Sequence, residues 1–537
     1  MAQKQSVVII GGGPAGLTAA WEFVKDGGDD YDVTVLEETH EFGGISRTVK
    51  YNGNRMDIGG HRFFSKDDRI MDWWKTVLPL QGAPSYDDKK LGREHDMEPG
   101  GPDPETEDQV MLKRHRVSRI YWNRRFFDYP ISLSLNTFKA MGFKLTLIAG
   151  FSYLKSIFHK LPETSLENFY INRFGRKLYS MFFEGYTEKL WGRHPREISA
   201  DWGAQRVKGL SIFGVLKNAF QKLLPKKRNS GEVETSLIEE FWYPKFGPGQ
   251  LWETVEHNCV NAGVHVITGA KVIEVCQAQG HISSVVYQDA DGKRVTLSAD
   301  HFISSMPVKD LVNAIDAASH DAEVEPTPVP VPQDMTHIAN GLPYRDFVTV
   351  GLLVKHLRLK NTTTIPTLGN PPIVPDCWIY VQDPGYKVGR LQIFNNWSPY
   401  LVKDVDNTVW IGLEYFCAEG DDFWNMTDEE ATKFAISELT RMHVINGPQD
   451  VLDAHRERVK KAYPAYFDTY ANMPELVEYL DSFGNLYCVG RNGQHRYNNM
   501  DHSMATAIEA VSNIKSGKTS KKNVWSVNTD KSYHEAK

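Results

Sequence analysis

Val7-Val8-Ile9-Ile10-Gly11-Gly12-Gly13-Pro14-Ala15-Gly16 runs from a β-branched strand pattern, through a G-x-G-x-x-G turn, into a helical pattern that continues to about Lys25. A second strand pattern, Val33-Thr34-Val35-Leu36, follows and ends on Glu37 and Glu38. Strand, glycine turn, helix and strand make a βαβ opening. Gly11, Gly13 and Gly16 allow a tight turn and close backbone approach, and the helix that starts at Pro14 and Ala15 offers free N–H groups and its dipole to a pyrophosphate. Glu37 stands 21 residues after Gly16, the spacing at which an acid accepts hydrogen bonds from a ribose.

Two further glycine turns choose among dinucleotides. Gly43-Gly44-Ile45-Ser46-Arg47 follows the second strand, and Asp57-Ile58-Gly59-Gly60-His61 comes soon after. A plain nicotinamide dehydrogenase has no use for them, whereas an extended FAD needs backbone close to its diphosphate, ribityl chain and ring system. Near the C-terminal end, Val489-Gly490-Arg491 precedes a helical pattern from about Asp501 to Ile514, which offers a second helix N-terminus. FAD is therefore the expected cofactor.

Composition bounds the partners. The 537 residues amount to about three to four domain-equivalents. With 61 basic and 68 acidic residues the net charge is -7, so no global positive field attracts nucleic acid, and an anionic substrate requires a local basic pocket. Five scattered cysteines without a C-x-x-C pair argue against a disulfide framework or a cysteine-based zinc site, and no metal is expected. Three lysines interrupt the apolar stretch 137–158, which reads as a core or groove helix and not a membrane span. No signal peptide is evident at the N-terminus, and a cytoplasmic location is expected. H-E-x-x-H, G-x-S-x-G and Walker patterns are absent, which removes the commonest metalloprotease, hydrolase and phosphotransfer readings.

Several motifs together resemble the UDP-galactopyranose mutases, and particularly their eukaryotic-type branch, within the amine-oxidase-like flavoproteins. They are Asp57-Ile58-Gly59-Gly60-His61-Arg62-Phe63-Phe64-Ser65, Lys189-Leu190-Trp191, Gln205-Arg206-Val207, Gly490-Arg491-Asn492-Gly493-Gln494-His495-Arg496-Tyr497 and Asn499-Met500-Asp501-His502-Ser503. The resemblance implies an α/β fold: a Rossmann-like FAD-binding domain of the GR2 flavoprotein type, an inserted helical domain and an antiparallel β-sheet domain. The expected divisions are a discontinuous FAD-binding domain (1–82, 236–325 and 476–516), an exposed insertion (83–115) whose residues 83–110 are open to disorder, a helical domain (130–235) with a mobile substrate loop near Arg206 to Ile212, a sheet domain (336–475) and a flexible tail (517–537).

The resemblance also implies a reaction. In that family the N5 atom of reduced FAD attacks the anomeric carbon of UDP-galactopyranose, UDP leaves, and the sugar recloses as the furanose before UDP returns. NADPH or NADH is the candidate reductant, a UDP-sugar the substrate, and a homo-oligomer is compatible with the family. Arg206 and Arg390 match the diphosphate arginines, Tyr463 and Tyr497 two diphosphate tyrosines, and Trp378 with Tyr380 the aromatic pair beside the nucleotide. Tyr129 and Trp191 join the substrate set. Arg491 and Asn499 fall on the flavin and sugar side, and His61 on the loop whose backbone meets flavin N5. Glu38, Gly44, Ser46, Arg47, Gly59, Gly60, Gly490, Met500 and Ser503 complete the cofactor set.

Departures from the pattern leave other readings open. Trp397 stands where a third diphosphate tyrosine is usual, with an indole N–H in place of the phenol. Ser132 and Thr187 stand where amide side chains commonly contact uracil. A true FAD oxidoreductase of the amine-oxidase, desaturase or protoporphyrinogen-oxidase type is the alternative, and a non-catalytic binding protein the third.

Overall fold

The computed structural model describes residues 4–28, 30–129, 141–200, 240–321 and 329–528. Its organising element is a five-stranded parallel sheet. In spatial order the strands are Leu486–Cys488, His301–Ser304, Gln5–Ile10, Tyr31–Glu37 and His265–Thr268. Alternation along the first strand assigns its two faces. Val7 and Ile9 pack with helices Pro14–Val24, Pro248–Asn261 and Met500–Ser516, while Val8 and Ile10 pack against helix Val308–His320 and the antiparallel strands Lys271–Ala278 and His281–Gln288. A sheet covered on both faces requires strands apolar throughout, which is what Val7-Val8-Ile9-Ile10 supplies. The nucleotide-binding layer is thus built from both ends of the chain and its middle.

A second, seven-stranded sheet forms the opposite wall. Its order is Val451–Pro464, Tyr344–Val354, Val409–Cys417, Arg390–Ile393, Trp378–Val381, Ser118–Trp122 and Arg125–Asp128. The antiparallel sheet expected over 336–475 is present but larger: Ser118–Trp122 joins it in parallel to Trp378–Val381 and brings Arg125–Asp128 along as the edge. Helices Phe143–Phe158, Leu166–Phe182 and Glu184–Trp191 account for the described part of the expected helical region. The loop from Arg206 to Ile212 and Ser132 lie outside the described residues.

Three local expectations change. The stretch 83–110 is folded: Ser85 begins helix Tyr86–Leu91 and donates its hydroxyl to Asp88 at 2.6 Å, and Asp87 receives both Arg114 guanidinium nitrogens at 3.1 and 2.8 Å. Asp87, Asp88 and Arg114 are buried, so paired charges organise a segment that has few apolar residues to do so. The tail begins in order, with helix Lys522–Ser526 burying Val524 and Trp525. Helix Phe143–Phe158 exposes Phe143, Phe151 and Phe158 among the described residues, unlike a core helix. No described helix is long and apolar enough to cross a membrane.

Candidate active site

The first glycine turn carries the geometry its sequence requires. Gly11 has φ +103°, and a Cβ on Gly16 would lie 1.8 Å from the Gly11 carbonyl oxygen, so neither position accepts a side chain without backbone movement. Helix Pro14–Val24 has no side-chain cap, which leaves its first N–H groups for a ligand. Glu37 closes the turn by accepting the Gly12 N–H at 2.6 Å.

These elements open onto a cleft of about 1650 Å³. Ordinary small-molecule pockets hold roughly 300–1,000 Å³, so the volume suits a large cofactor together with a substrate. Gly11, Gly13, Pro14, Ala15, Glu37, Glu38, Gly44, Ser46, Arg47, Gly59, Gly60 and His61 line one part of it, and Gly490, Arg491, Asn499, Met500 and Ser503 another. Gly16 lies behind this lining and acts through the shape of the turn. The uncapped helix, the bare glycine backbone and the extended cleft fit FAD. Arg47 has its charge balanced there by Glu41 at 2.8 Å and Glu457 at 3.4 Å.

The seven-stranded sheet contributes a polar cluster. Arg390 donates through Nε to Glu414 at 2.6 Å and through Nη2 to the Tyr463 hydroxyl at 2.5 Å. Glu414, 1% exposed, also accepts Gln392 Nε2 at 2.7 Å. Among the described residues Nη1 is the Arg390 donor left for a ligand. Burial opposes the Arg390 charge, but Glu414 and then the neighbouring phenols outweigh it and hold the group fully protonated. Burial pushes the Tyr463 phenol up to about 12, against the pull of Arg390, so at neutral pH it is a proton donor.

From Tyr463 the cluster continues toward the cofactor side. Tyr463 stacks on Tyr497 with ring centroids 5.7 Å apart, and the Arg491 guanidinium lies 4.5 Å from the Tyr497 ring. Arg491 is held by the carbonyls of Asn498 and Ala462 at 2.8 and 2.9 Å. Burial, with help from the Arg491 charge, lowers the His61 pKa to about 4. His61 is therefore neutral at pH 7, and because its Nδ1 lies 3.0 Å from the Gly59 carbonyl, which only accepts, that nitrogen carries the proton.

Aromatic side chains line the neighbouring part of the cleft. Tyr380 packs on Tyr129 with centroids 4.4 Å apart, and Tyr186 and Trp378 meet its edge at 5.7 and 5.8 Å. A Cβ on Gly60 would fall 2.2 Å from the Trp378 ring, so the flavin-type turn and the aromatic wall are packed directly together. Trp191 lines the same cleft.

The structure thus gathers His61, Arg390, Tyr463, Tyr497, Arg491, Trp378, Tyr380, Tyr129 and Trp191 around one cleft. Trp397 does not belong to it: it is fully buried and donates its indole N–H to the Cys377 carbonyl at 3.0 Å, so it has no proton to give a diphosphate. Arg206 lies outside the described residues. Sequence reasoning missed Tyr186 and Arg116 (5.6 Å from the Tyr129 ring), which line the cleft, and Glu414, which stands behind the lining and holds Arg390. Glu414 had a readable signal, being the lone charge inside the apolar run Val409-Trp410-Ile411-Gly412-Leu413-Glu414-Tyr415-Phe416-Cys417. A carboxylate buried in such a strand needs a cation beside it.

Comparison with known proteins agrees with this framework. The curated relatives match short segments: coproporphyrinogen III oxidase of Mycobacterium bovis is 37% identical over 59 residues, 11% of this chain and 13% of that protein. A probable flavin-containing monoamine oxidase A of Dictyostelium discoideum is 32% identical over 90 residues, 17% of this chain and 19% of that protein. The chain therefore spans less than a fifth of the length of either. Solved structures match nearly end to end. A reduced UDP-galactopyranose mutase aligns with TM-score 0.70 at 19% identity, covering 99% of this chain and 97% of its own. A putative protoporphyrinogen oxidase from Exiguobacterium sp. 255-15 aligns with TM-score 0.60 at 14% identity, covering 95% and 99%. The model of the flavin containing amine oxidoreductase family matches residues 14–490, so the chain belongs to that family, and FAD is the cofactor the family implies.

Proposed function

We propose that the protein is an FAD-dependent sugar-nucleotide mutase that interconverts UDP-galactopyranose and UDP-galactofuranose or a close analogue. The observation that carries this reading is the Arg390–Glu414–Tyr463 cluster, continued by Tyr497 and Arg491, on the wall of the flavin-sized cleft. Reduced flavin, when bound, supplies the nucleophilic N5 for the anomeric carbon. The protein's own task is to grip a diphosphate that departs and returns. Arg390 presents a cation and a spare guanidinium donor, and Tyr463 and Tyr497 add phenol donors, the groups that best stabilise charge on phosphate oxygens.

Glu414 orients Arg390 but cancels much of its charge locally. A second cation is needed for the diphosphate, and Arg206 is the residue proposed for it. Trp378, Tyr380 and Tyr129 would flank the nucleotide, and the neutral His61 would leave the reacting centre without a competing charge. The cytoplasm, with NADPH or NADH as reductant, is the setting proposed for a reaction that needs reduced flavin.

The test is to incubate the dithionite-reduced holoenzyme with UDP-galactopyranose and follow UDP-galactofuranose chromatographically. Conversion by the reduced but not the oxidised enzyme supports the proposal. Failure of the reduced, fully flavinated enzyme to form the furanose refutes the galactose reaction.

An FAD oxidoreductase is the second reading. Tyr170, Phe174, Phe182 and Phe183 line an aromatic arm of the same cleft, which suits an apolar organic substrate. That reading requires flavin reduction by the substrate and consumption of oxygen, with no dependence on Arg390.

A further inference from the structure

Away from the cleft, two histidines and a glutamate converge. His115 and Glu240 are directly opposed in the antiparallel pair of strands Met111–His115 and Glu240–Pro244. His95, in the segment after helix Tyr86–Leu91, stacks on His115 with ring centroids 4.7 Å apart. Glu240 Oε1 lies 3.6 Å from His95 Nδ1 and 3.7 Å from His115 Nδ1, and the three ligand atoms all lie within 4.8 Å of one another.

His95 carries the strongest signal. Its side chain is 1% exposed, its Nε2 sits 3.0 Å from Asp88 Oδ1, and its Nδ1 is buried with no hydrogen-bond partner among the described residues. In the neutral ring a proton held on Nε2 by Asp88 leaves the Nδ1 lone pair to a metal ion, whereas without an ion Asp88 and Glu240 favour the protonated ring. The Asp88–His95 pair is the carboxylate–histidine arrangement that orients metal ligands and raises their basicity. A zinc ion would take the place of the Nδ1 proton and bridge His95 to Glu240.

We propose that His95 Nδ1, His115 Nδ1 and a Glu240 carboxylate oxygen bind one zinc(II) ion, with water in the fourth position. Tetrahedral zinc with bonds of about 2.0–2.2 Å separates its ligand atoms by roughly 3.3–3.5 Å. The 3.6 and 3.7 Å separations to Glu240 need only a few tenths of an ångström of closure, and the two histidine nitrogens, within 4.8 Å of each other, at most about 1.5 Å. The half-exposed side chains of His115 and Glu240 can supply that movement and give the ion access from solvent. Imidazole nitrogen with a single carboxylate suits zinc better than calcium or magnesium, which favour all-oxygen sites. Around the cluster, Asp87 and Asp88 offset Arg93 and Arg114, so fixed positive charge does not dominate. The ion would clip the folded 83–115 segment to strand Glu240–Pro244.

The experiment uses the full-length flavoprotein without an affinity tag, stripped with chelator and dialysed. Zinc sulfate is titrated calorimetrically at neutral pH, with flavin absorbance and circular dichroism as checks on folding. Wild type should bind one equivalent per chain and gain thermal stability on binding. His115→Ala with Glu240→Gln, both at exposed positions, should abolish the saturable phase, and His320→Ala, at an exposed histidine outside the cluster, should leave it intact. Asp88→Asn should weaken binding roughly 10- to 100-fold if Asp88 orients His95. Absence of one-equivalent binding by wild type, or undiminished binding by the folded double variant, overturns the proposal and leaves the cluster as an imidazolium–carboxylate contact.

Discussion

Replacing Arg390 by Met separates what the residue does for folding from what it does for ligand. Arg390 and Glu414 are joined at 2.6 and 2.5 Å, with Glu414 1% exposed. Removing one partner of such a pair strands the other charge in a poorly solvated place, a loss of about 3–5 kcal/mol. Arg390→Met alone should therefore unfold at a clearly lower urea concentration. Glu414→Gln in the same chain removes the stranded charge while keeping the Gln392 contact possible, and should restore most of the lost stability, because replacing both partners is often nearly neutral. Binding should not recover. Loss of a desolvated arginine contact to a diphosphate costs about 2–5 kcal/mol, or roughly 30- to 4,000-fold in Kd. Calorimetric titration with UDP, beside urea unfolding of the flavin-loaded single and double variants, measures both quantities. A UDP Kd within about threefold of wild type in the stable double variant would refute the diphosphate assignment. A double variant as unstable as the single would refute the ion-pair account.

Gly16→Ala forces a Cβ toward the Gly11 carbonyl, 1.8 Å away in the present backbone, and should yield protein purified with little FAD, measured by flavin absorbance per chain. Trp397→Phe removes the N–H donated to Cys377 O and part of a fully buried ring, and should cost about 2–3 kcal/mol of stability, with UDP affinity unchanged; a large fall in UDP affinity would restore the diphosphate role. Burial lowers the pKa of His495 to about 4, with its ring held 3.0 Å from the Ala465 carbonyl. The unfolded chain takes up this proton near pH 6.5 and the folded chain only near 4, so the penalty is absent above 6.5 and grows as pH falls through that window. His495→Gln should therefore lose progressively less stability relative to wild type from pH 6.5 to 4, by up to about 3 kcal/mol in urea unfolding, and a pH-independent difference would contradict the burial effect.

The nucleotide-binding layer was legible because local rules decide it. Val7-Val8-Ile9-Ile10 can only be a strand buried on both faces, and the Gly11–Gly16 turn tolerates no side chain at its crossing point. The opposite wall was legible mainly through family resemblance, since Arg390 and Tyr463 are 73 positions apart and no periodicity links them. The same resemblance misled at Trp397, where position along the chain suggested a ligand contact but the indole turned into the core between Phe241, Tyr243 and Trp378. The 83–110 segment failed for a different reason. Its lack of apolar residues removes the hydrophobic signal, yet Asp87, Asp88, Arg93 and Arg114 neutralise one another and fold it through charge pairing, which composition does not show.

A shared flavin layer cannot by itself choose between isomerisation and oxidation, because both need the same glycine turns and helix N-termini. The choice falls to the seven-stranded sheet, which sets a charged cluster against the cleft, and to helix Leu166–Phe182, which sets an aromatic arm there. A cleft serving only an apolar substrate would have no reason to bury Glu414, since a carboxylate in that strand is destabilising unless Arg390 is kept beside it. Keeping a buried ion pair open to the cleft makes sense if an anion uses Arg390, with Glu414 fixing the guanidinium plane and Tyr463 supplying the adjacent donor. Aromatic lining does not contradict this, because a nucleotide carries a flat base that can stack on rings such as Trp378 and Tyr380 as well as two phosphates that need donors. One bifunctional ligand accounts for both features, whereas an apolar oxidase substrate accounts only for the second.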